Sequence, residues 1–149
     1  MTQFKLITPP RDIADLLCMQ KSLKYCKGLR TPESQANYEK CLQDKEYLKS
    51  FGDNLEKDIK ESEKGYVIRK NDFSYDFLLQ NIPTATHYII WFCNESLARN
   101  LQEYAIDKVE MLGGFEKFNY IVWINNPTNQ SVPNIRHAQL ITFLKTNKN

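Results

Sequence analysis

The segment at residues 125–140 concentrates side chains that could do phosphate chemistry. It reads NNPTNQSVPNIRHAQL, connects two apolar runs, and holds one of the two histidines of the chain. Asn and Gln amides donate hydrogen bonds without carrying charge, a Ser hydroxyl adds a rotatable donor, and the N–H groups of irregular turns often converge on an anion. An imidazole beside them titrates near neutrality, which suits a nucleophile or a general acid. The connector therefore predicts a phosphate site.

A structural interpretation of the same residues stays open. Long hairpin connections also use Asn and Pro, which then only form turns. His87 has two interpretations as well, because it begins an apolar run that could approach the connector, yet it could equally be a capping or partly buried structural residue. Trp91 and Trp123 are expected in the core or on the wall of a cleft. Asp72 and Asp76 are expected in a loop, where they form no acid–base pair.

The second half of the chain predicts the elements that must position this connector. Two nearly continuous apolar runs, 87–93 and 118–125, predict buried strands, and residues 138–145 alternate like a third strand. Between the first two strands, apolar residues at helical spacing predict a helix over 96–112 that ends at Gly113-Gly114. We expect the three strands in one sheet, with this helix on one face.

The first half predicts helices. The first spans residues 11–28 and ends on Gly28. Thr31 and Pro32 are typical of the start of a second helix, which Gly52 is expected to end. The remaining expected elements are a short charged helix over 54–64, capped by Asp53 and anchored by Leu55 and Ile59, and a short strand within 65–72. The predicted fold is one α+β domain over 1–149, with a helical layer (11–64) on a small, mainly antiparallel sheet (65–145).

Composition narrows the class of protein. The 149 residues are 42% hydrophobic and 26% charged with a net charge of +2, which is ordinary for one globular domain and does not indicate a nucleic-acid partner. No apolar run is long enough to cross a membrane, and the N-terminus does not read as a secretory signal. The four cysteines lack CxxC spacing, so we expect buried free thiols and no metal site. Free thiols are typical of a reducing compartment, so we expect an intracellular protein, cytoplasmic or nuclear. We expect no cofactor.

The C-terminal half, over residues 82–145, resembles the histidine-triad proteins, which bind nucleotide phosphates and cleave or transfer them. The strand FNYIVWI runs into Asn125-Asn126, then Gln130-Ser131-Val132-Pro133, then His137-Ala138-Gln139 and another strand. With one inserted residue, the three alternate positions of the triad fall on Ile135, His137 and Gln139, whereas simple spacing places Asn134, Arg136 and Ala138 there. The first alignment is similar to the His-x-His-x-Gln variant of the nucleotidyl-transferase branch, whose middle histidine is the nucleophile. The first histidine is missing, and Pro127 replaces a glycine of the family.

A broader resemblance, over residues 30–145, is to the fungal N-acetylglucosamine-induced protein family, which carries no established activity. Besides Tyr38, the residues that carry it are KSFGD at 49–53, RKNDFSYDF at 69–77, HYIIWF at 87–92, YIVWINN at 120–126 and SVPNIRHAQL at 131–140. That family ends in Ser-Val followed by His-x-His, and Gln139 stands at the second histidine. This resemblance implies one compact domain.

Two functions follow as expectations, and whether the protein is an enzyme stays open. The first is a degenerate histidine-triad-like protein that binds a nucleotide or sugar phosphate, with hydrolase or transferase activity through His137 as nucleophile or general acid. Its ligand-binding residues would be Asn125, Asn126, Gln130, Ser131, Arg136, Gln139 and His87. The alternative is a non-enzymatic module that retains the fold and binds a protein partner. Histidine-triad proteins are often dimers, but the sequence itself leaves the oligomeric state open.

Overall fold

The computed structural model describes residues 5–6, 8–63, 65–92, 101–125 and 136–145. Its helices are α1 (Ile13–Met19), α2 (Pro32–Leu42), α3 (Lys45–Glu61) and α4 (Leu101–Leu112), and a 3-10 helix spans Gln20–Tyr25. Its strands are β1 (Lys5–Leu6), β2 (Cys26–Lys27), β3 (Tyr66–Lys70), β4 (Thr86–Phe92), β5 (Phe118–Trp123) and β6 (Arg136–Leu144).

The main sheet has the strand order β3-β4-β6-β5, and all neighbouring strands are antiparallel. Since β6 lies between β4 and β5 and is antiparallel to both, β4 and β5 run in the same direction, and the connection between them contains α4. The three strands predicted near 87–93, 118–125 and 138–145 thus share one sheet, which confirms both that prediction and the α+β class.

Both faces of the sheet are covered, which explains why its strands read as continuous apolar runs. On one face, Tyr104 and Ala105 of α4 pack in a cluster with alternate residues of the strands, among them Ile90, Val122 and Leu140. This arrangement confirms the predicted place of α4, although residues 96–100 of the predicted helix lie outside the described residues.

The other face is covered in two parts. Over β5 and β6, a cluster joins Leu16 and Leu23 of the N-terminal segment and Leu78 of the loop after β3 to Ile121 and Phe143. Over β3 and β4, a separate cluster joins Leu55 and Ile59 of α3 to Trp91 of β4. Leu55 and Ile59 therefore are the anchors that the sequence predicts.

The first predicted helix, 11–28, is wrong over its second half. Asp12 caps α1 by accepting a hydrogen bond from the N–H of Asp15, but regular helix ends at Met19 and tightens into the 3-10 helix. The chain then forms β2, which pairs in parallel with β1. This pairing joins residues about twenty positions apart, and a local apolar period carries no signal for it.

The predicted ends of the second and third helices are wrong. Thr31 caps α2 as expected, with its hydroxyl accepting from the N–H of Ser34. However, the helix is interrupted before Asp44, whose carboxylate accepts a hydrogen bond from the N–H of Tyr47 and caps α3. Helix α3 then continues through Gly52 and Asp53 to Glu61. The φ of Gly52 is not positive, unlike that of a glycine that ends a helix, which agrees with its place inside α3.

The predictions about the cysteines and about membrane-crossing segments can be compared with the described residues. Cys18, Cys26 and Cys41 are not joined to one another in disulfides, and Cys93 lies outside the described residues. Burial of all these thiols is wrong, since Cys18 is exposed and only Cys26 is fully buried among the three. In the part of the chain that the structure describes, no helix has the length and apolar character needed to cross a bilayer.

Candidate functional site

A cleft of about 940 Å³ opens between the sheet and the helices α2 and α3. Its floor is the face of β3, β4 and β6 that lies opposite α4. The loop after β3 and the segment before α2 close it from the side of β5. Helix α3 closes it from the side of β3, where an ion pair joins Asp58 to Arg69.

The sheet register brings the functional side chains of the floor together. In an antiparallel sheet, directly paired residues lie on the same face. Trp91 of β4 pairs with His137 of β6, and in the next pair on this face Ile89 opposes Gln139. Gln139 in turn pairs with Trp123 of β5. The candidate residues of β6 thus take alternate positions on the floor of the cleft.

His137 lies on the cleft floor against Trp91. The two ring centroids are 4.7 Å apart and the ring planes are tilted by 37°. Both side chains are buried, and both line the cleft. The aromatic contact fixes the position of the imidazole, which is what a nucleophile or general acid needs.

His87 does not line the cleft, but it hydrogen-bonds to Gln139, which does. Its Nδ1 atom accepts a hydrogen bond from the backbone N–H of Tyr75 at 3.2 Å, so Nε2 carries the proton and donates to Oε1 of Gln139 at 2.6 Å. Burial lowers the pKa of His87 to about 4, helped by the charge of Arg30 and opposed by the bond to Gln139. The ring is therefore neutral at pH 7 and holds the amide of Gln139 in one orientation.

Asn125 is held at the edge of the cleft by two buried aromatic side chains. Its Oδ1 accepts from the indole N–H of Trp123 at 2.7 Å, and its Nδ2 donates to the hydroxyl oxygen of Tyr75 at 3.0 Å. The ring of Tyr75 also contacts that of His87, with ring centroids 4.4 Å apart and planes tilted by 41°. One buried polar network thus connects Asn125, Tyr75, His87 and Gln139.

The structure brings together three of the predicted site residues as lining of one cleft, Asn125, His137 and Gln139. His87 lies directly behind them. Asn126, Gln130 and Ser131 lie outside the described residues, and of Arg136 the structure gives only its backbone position, paired with Phe92 at the start of β6.

Sequence reasoning missed the residues of the opposite wall. Arg30 packs against the rings of Tyr38 and Tyr75, with its guanidinium carbon 4.0 Å and 4.9 Å from their centroids. Phe51 of α3 meets Trp91 edge to face, with ring centroids 5.5 Å apart. The contacts of Arg30 with Tyr75 and of Phe51 with Trp91 join residues about 40 or more positions apart in the chain, so neither spacing nor motif signals them. Among the described residues, no group of three or more His, Cys, Asp or Glu side chains could hold a metal ion.

Comparison with known proteins supports the fold and leaves function open. No family model matches the sequence, and no curated protein matches it. The structure is similar to the crystal structure of a protein named HTC1, with a TM-score of 0.53 and 16% identity over 89% of this chain and 85% of that one. At this identity the likeness shows a shared fold alone. The resemblances to the histidine-triad and N-acetylglucosamine-induced families therefore stay predictions.

Proposed function

We propose that the cleft binds a small phosphate-bearing ligand of the nucleotide or sugar-phosphate class. One observation carries the proposal: Asn125 and His137, which flank the polar connector, line the same cleft as Gln139. The sequence singled out these side chains for phosphate chemistry, and the fold gathers them beside aromatic rings and cations.

The size and lining of the cleft fit this class of ligand. Small-molecule sites usually enclose roughly 300–1,000 Å³ and combine apolar walls with a few placed polar groups. Here the apolar surface comes from Trp91, Phe51 and Phe73, which suit the flat face of a base or sugar. The polar surface includes amides and the cationic side chains of Arg30 and Lys70, which suit phosphate oxygens.

The proposed roles follow from the contacts of each residue. Gln139 uses its oxygen to accept from His87, so its NH2 group is the part that would donate to a phosphate oxygen. His137, held against Trp91, would attack phosphorus or protonate the leaving group. His87 is buried and neutral, so it would orient Gln139 and take no direct part in proton transfer.

Calorimetric titration with mononucleotides and sugar nucleotides tests binding, and a hydrolysis assay on each ligand that binds tests chemistry. We expect His137→Ala to abolish turnover and to leave the dissociation constant largely unchanged, because a nucleophile acts in the chemical step. Met111→Ala is the control, since Met111 is 77% exposed on α4, across the sheet from the cleft.

The outcomes separate the two functions. Binding with turnover that His137→Ala removes supports an enzyme, and binding without turnover supports a degenerate ligand-binding protein. If no member of the panel binds, the proposal fails, and the non-enzymatic protein-interaction module becomes the better account of the fold.

A further inference from the structure

Arg30 is held in the cleft by contacts that fix the plane of its guanidinium group. The guanidinium carbon lies over the rings of Tyr38 and Tyr75, at 4.0 Å and 4.9 Å from their centroids. Its Nε–H donates to the backbone oxygen of Phe73 at 2.6 Å. An arginine restrained by two aromatic rings and at Nε has lost much of its side-chain freedom before any ligand arrives.

The same contacts decide which edge of the guanidinium remains for a ligand. The Nε side is occupied by Phe73, and the two tyrosine rings pack against the guanidinium group. The outer edge, formed by Nη1 and Nη2, carries one long bond, from Nη1 to Oε1 of Gln35 at 3.4 Å. Two parallel N–H groups on one edge match two oxygens of a phosphate.

Within the described part of the chain Arg30 forms no ion pair, although Glu39 and Asp72 also line the cleft. The ion pairs there join Arg11 to Asp15 and Arg69 to Asp58, and no carboxylate pairs with Arg30. Arg30 is half-buried, and removing a charge from water is unfavourable unless an opposite charge compensates for it. An anionic ligand would provide that compensation.

We infer that Arg30 is the phosphate-recognising residue of the cleft and that it binds two oxygens of a terminal phosphate or pyrophosphate through its Nη edge. The inference rests on the proposed function and narrows the ligand class to molecules whose phosphate is exposed at one end, such as nucleoside mono- and diphosphates. Tyr38 and Tyr75 are then positioning residues that hold the guanidinium plane.

Calorimetry with inorganic pyrophosphate and with a nucleoside diphosphate tests the inference. We expect Arg30→Met to weaken both interactions by about 10- to 100-fold, as for the loss of charge-assisted hydrogen bonds. Arg30→Lys should fall between Arg30→Met and the natural protein, because it keeps the charge and loses the planar edge. Lys108→Met is the matched control: it removes a cation that lies 4.7 Å from the ring centroid of Tyr88, outside the cleft.

A second measurement needs no variant and so does not depend on how well the Arg30 variants fold. In a ¹⁵N spectrum of the natural protein, pyrophosphate should shift the Nε resonance of Arg30. If pyrophosphate binds and Arg30→Met binds it equally well, the inference is overturned while the proposed function stands. If pyrophosphate shifts the Nε resonance of Arg30 but no nucleotide or sugar phosphate binds, the inference stands and the proposed function fails. No shift and no binding would overturn both.

Discussion

Nε2 of His87 lies 2.6 Å from Oε1 of Gln139, on the neighbouring strand, and both side chains are buried. In the register the two residues are diagonal, because His87 pairs with Ile141 and Gln139 pairs with Ile89. The bond satisfies the N–H of a neutral imidazole and fixes the amide of a cleft residue. It therefore connects the stability of the sheet to the geometry of the candidate site.

The first prediction concerns the pH dependence of stability. The pKa of His87 is lowered to about 4 by burial, from an ordinary value of 6.5. Between these values the unfolded chain binds a proton that the folded protein does not, so the free energy of unfolding decreases as pH falls from 6.5 to 4. The loss should be about 3 kcal/mol, and at pH above 6.5 this contribution is fully present.

Urea unfolding at a series of pH values measures this effect, with His87→Gln as the comparison because it cannot titrate. Carboxylates also titrate toward acid, and subtracting the variant's pH profile from that of the natural protein removes their share. Parallel profiles for the two proteins would show that His87 is not the group responsible.

The second prediction uses the partner of His87. In Gln139→Glu, a carboxylate would accept the hydrogen bond from Nε2, which favours the imidazolium and should raise the pKa of His87. In Gln139→Met the acceptor is lost, and the pKa should fall further, since the bond to Gln139 raises it in the natural protein. NMR titration of the His87 ring measures both, and shifts in the same direction for the two variants would contradict the assignment.

The sheet and the floor of the cleft were predictable because both depend on patterns along single strands. A buried apolar run followed by polar residues marks β5 and Asn125, and alternation along β6 places His137 and Gln139 on one face. Strand period alone is enough to put such residues together once β6 pairs with its neighbours.

The helical wall of the cleft was not predictable in the same way. The helices α2 and α3 are separated where Asp44 caps α3, and the helix continues through Gly52, although glycine is the stronger helix breaker by residue type. The place of Arg30 depends on Phe73 and Tyr75, more than forty residues later. Contacts of that range follow from tertiary packing, so no local pattern carries them.

The third prediction concerns Asp76, which ties the loop after β3 to the start of α2. Its carboxylate accepts from the N–H of Thr31 at 2.8 Å, from the Thr31 hydroxyl at 3.0 Å, and from the hydroxyl of Ser34. Burial alone would raise the pKa of Asp76, but these hydrogen bonds lower it below its usual value. The carboxylate therefore stabilises the fold above its ordinary pKa, and this contribution is lost as pH falls below it.

Asp76→Ala should lower the free energy of unfolding at pH 7 by roughly 1–3 kcal/mol, as expected when hydrogen bonds to a charged acceptor are removed. Asp72→Ala is the control, because Asp72 is exposed in the same loop. Denaturant unfolding of both variants measures the difference. Equal stabilities would mean that Asp76 contributes nothing beyond a surface carboxylate.

The fourth prediction concerns the helical environment of Gly52. Gly52 lies inside α3 without positive φ, and a Cβ added there would meet no atom within 4 Å. Gly52→Ala should therefore raise the free energy of unfolding by about 0.5–1 kcal/mol, since alanine is the better helix former. Gly114→Ala is the matched control: it has open space too, but its φ of 94° strains any residue with a Cβ, so stability should fall. A loss of stability in Gly52→Ala comparable to that in Gly114→Ala would contradict the expectation that position 52 accommodates a Cβ without strain.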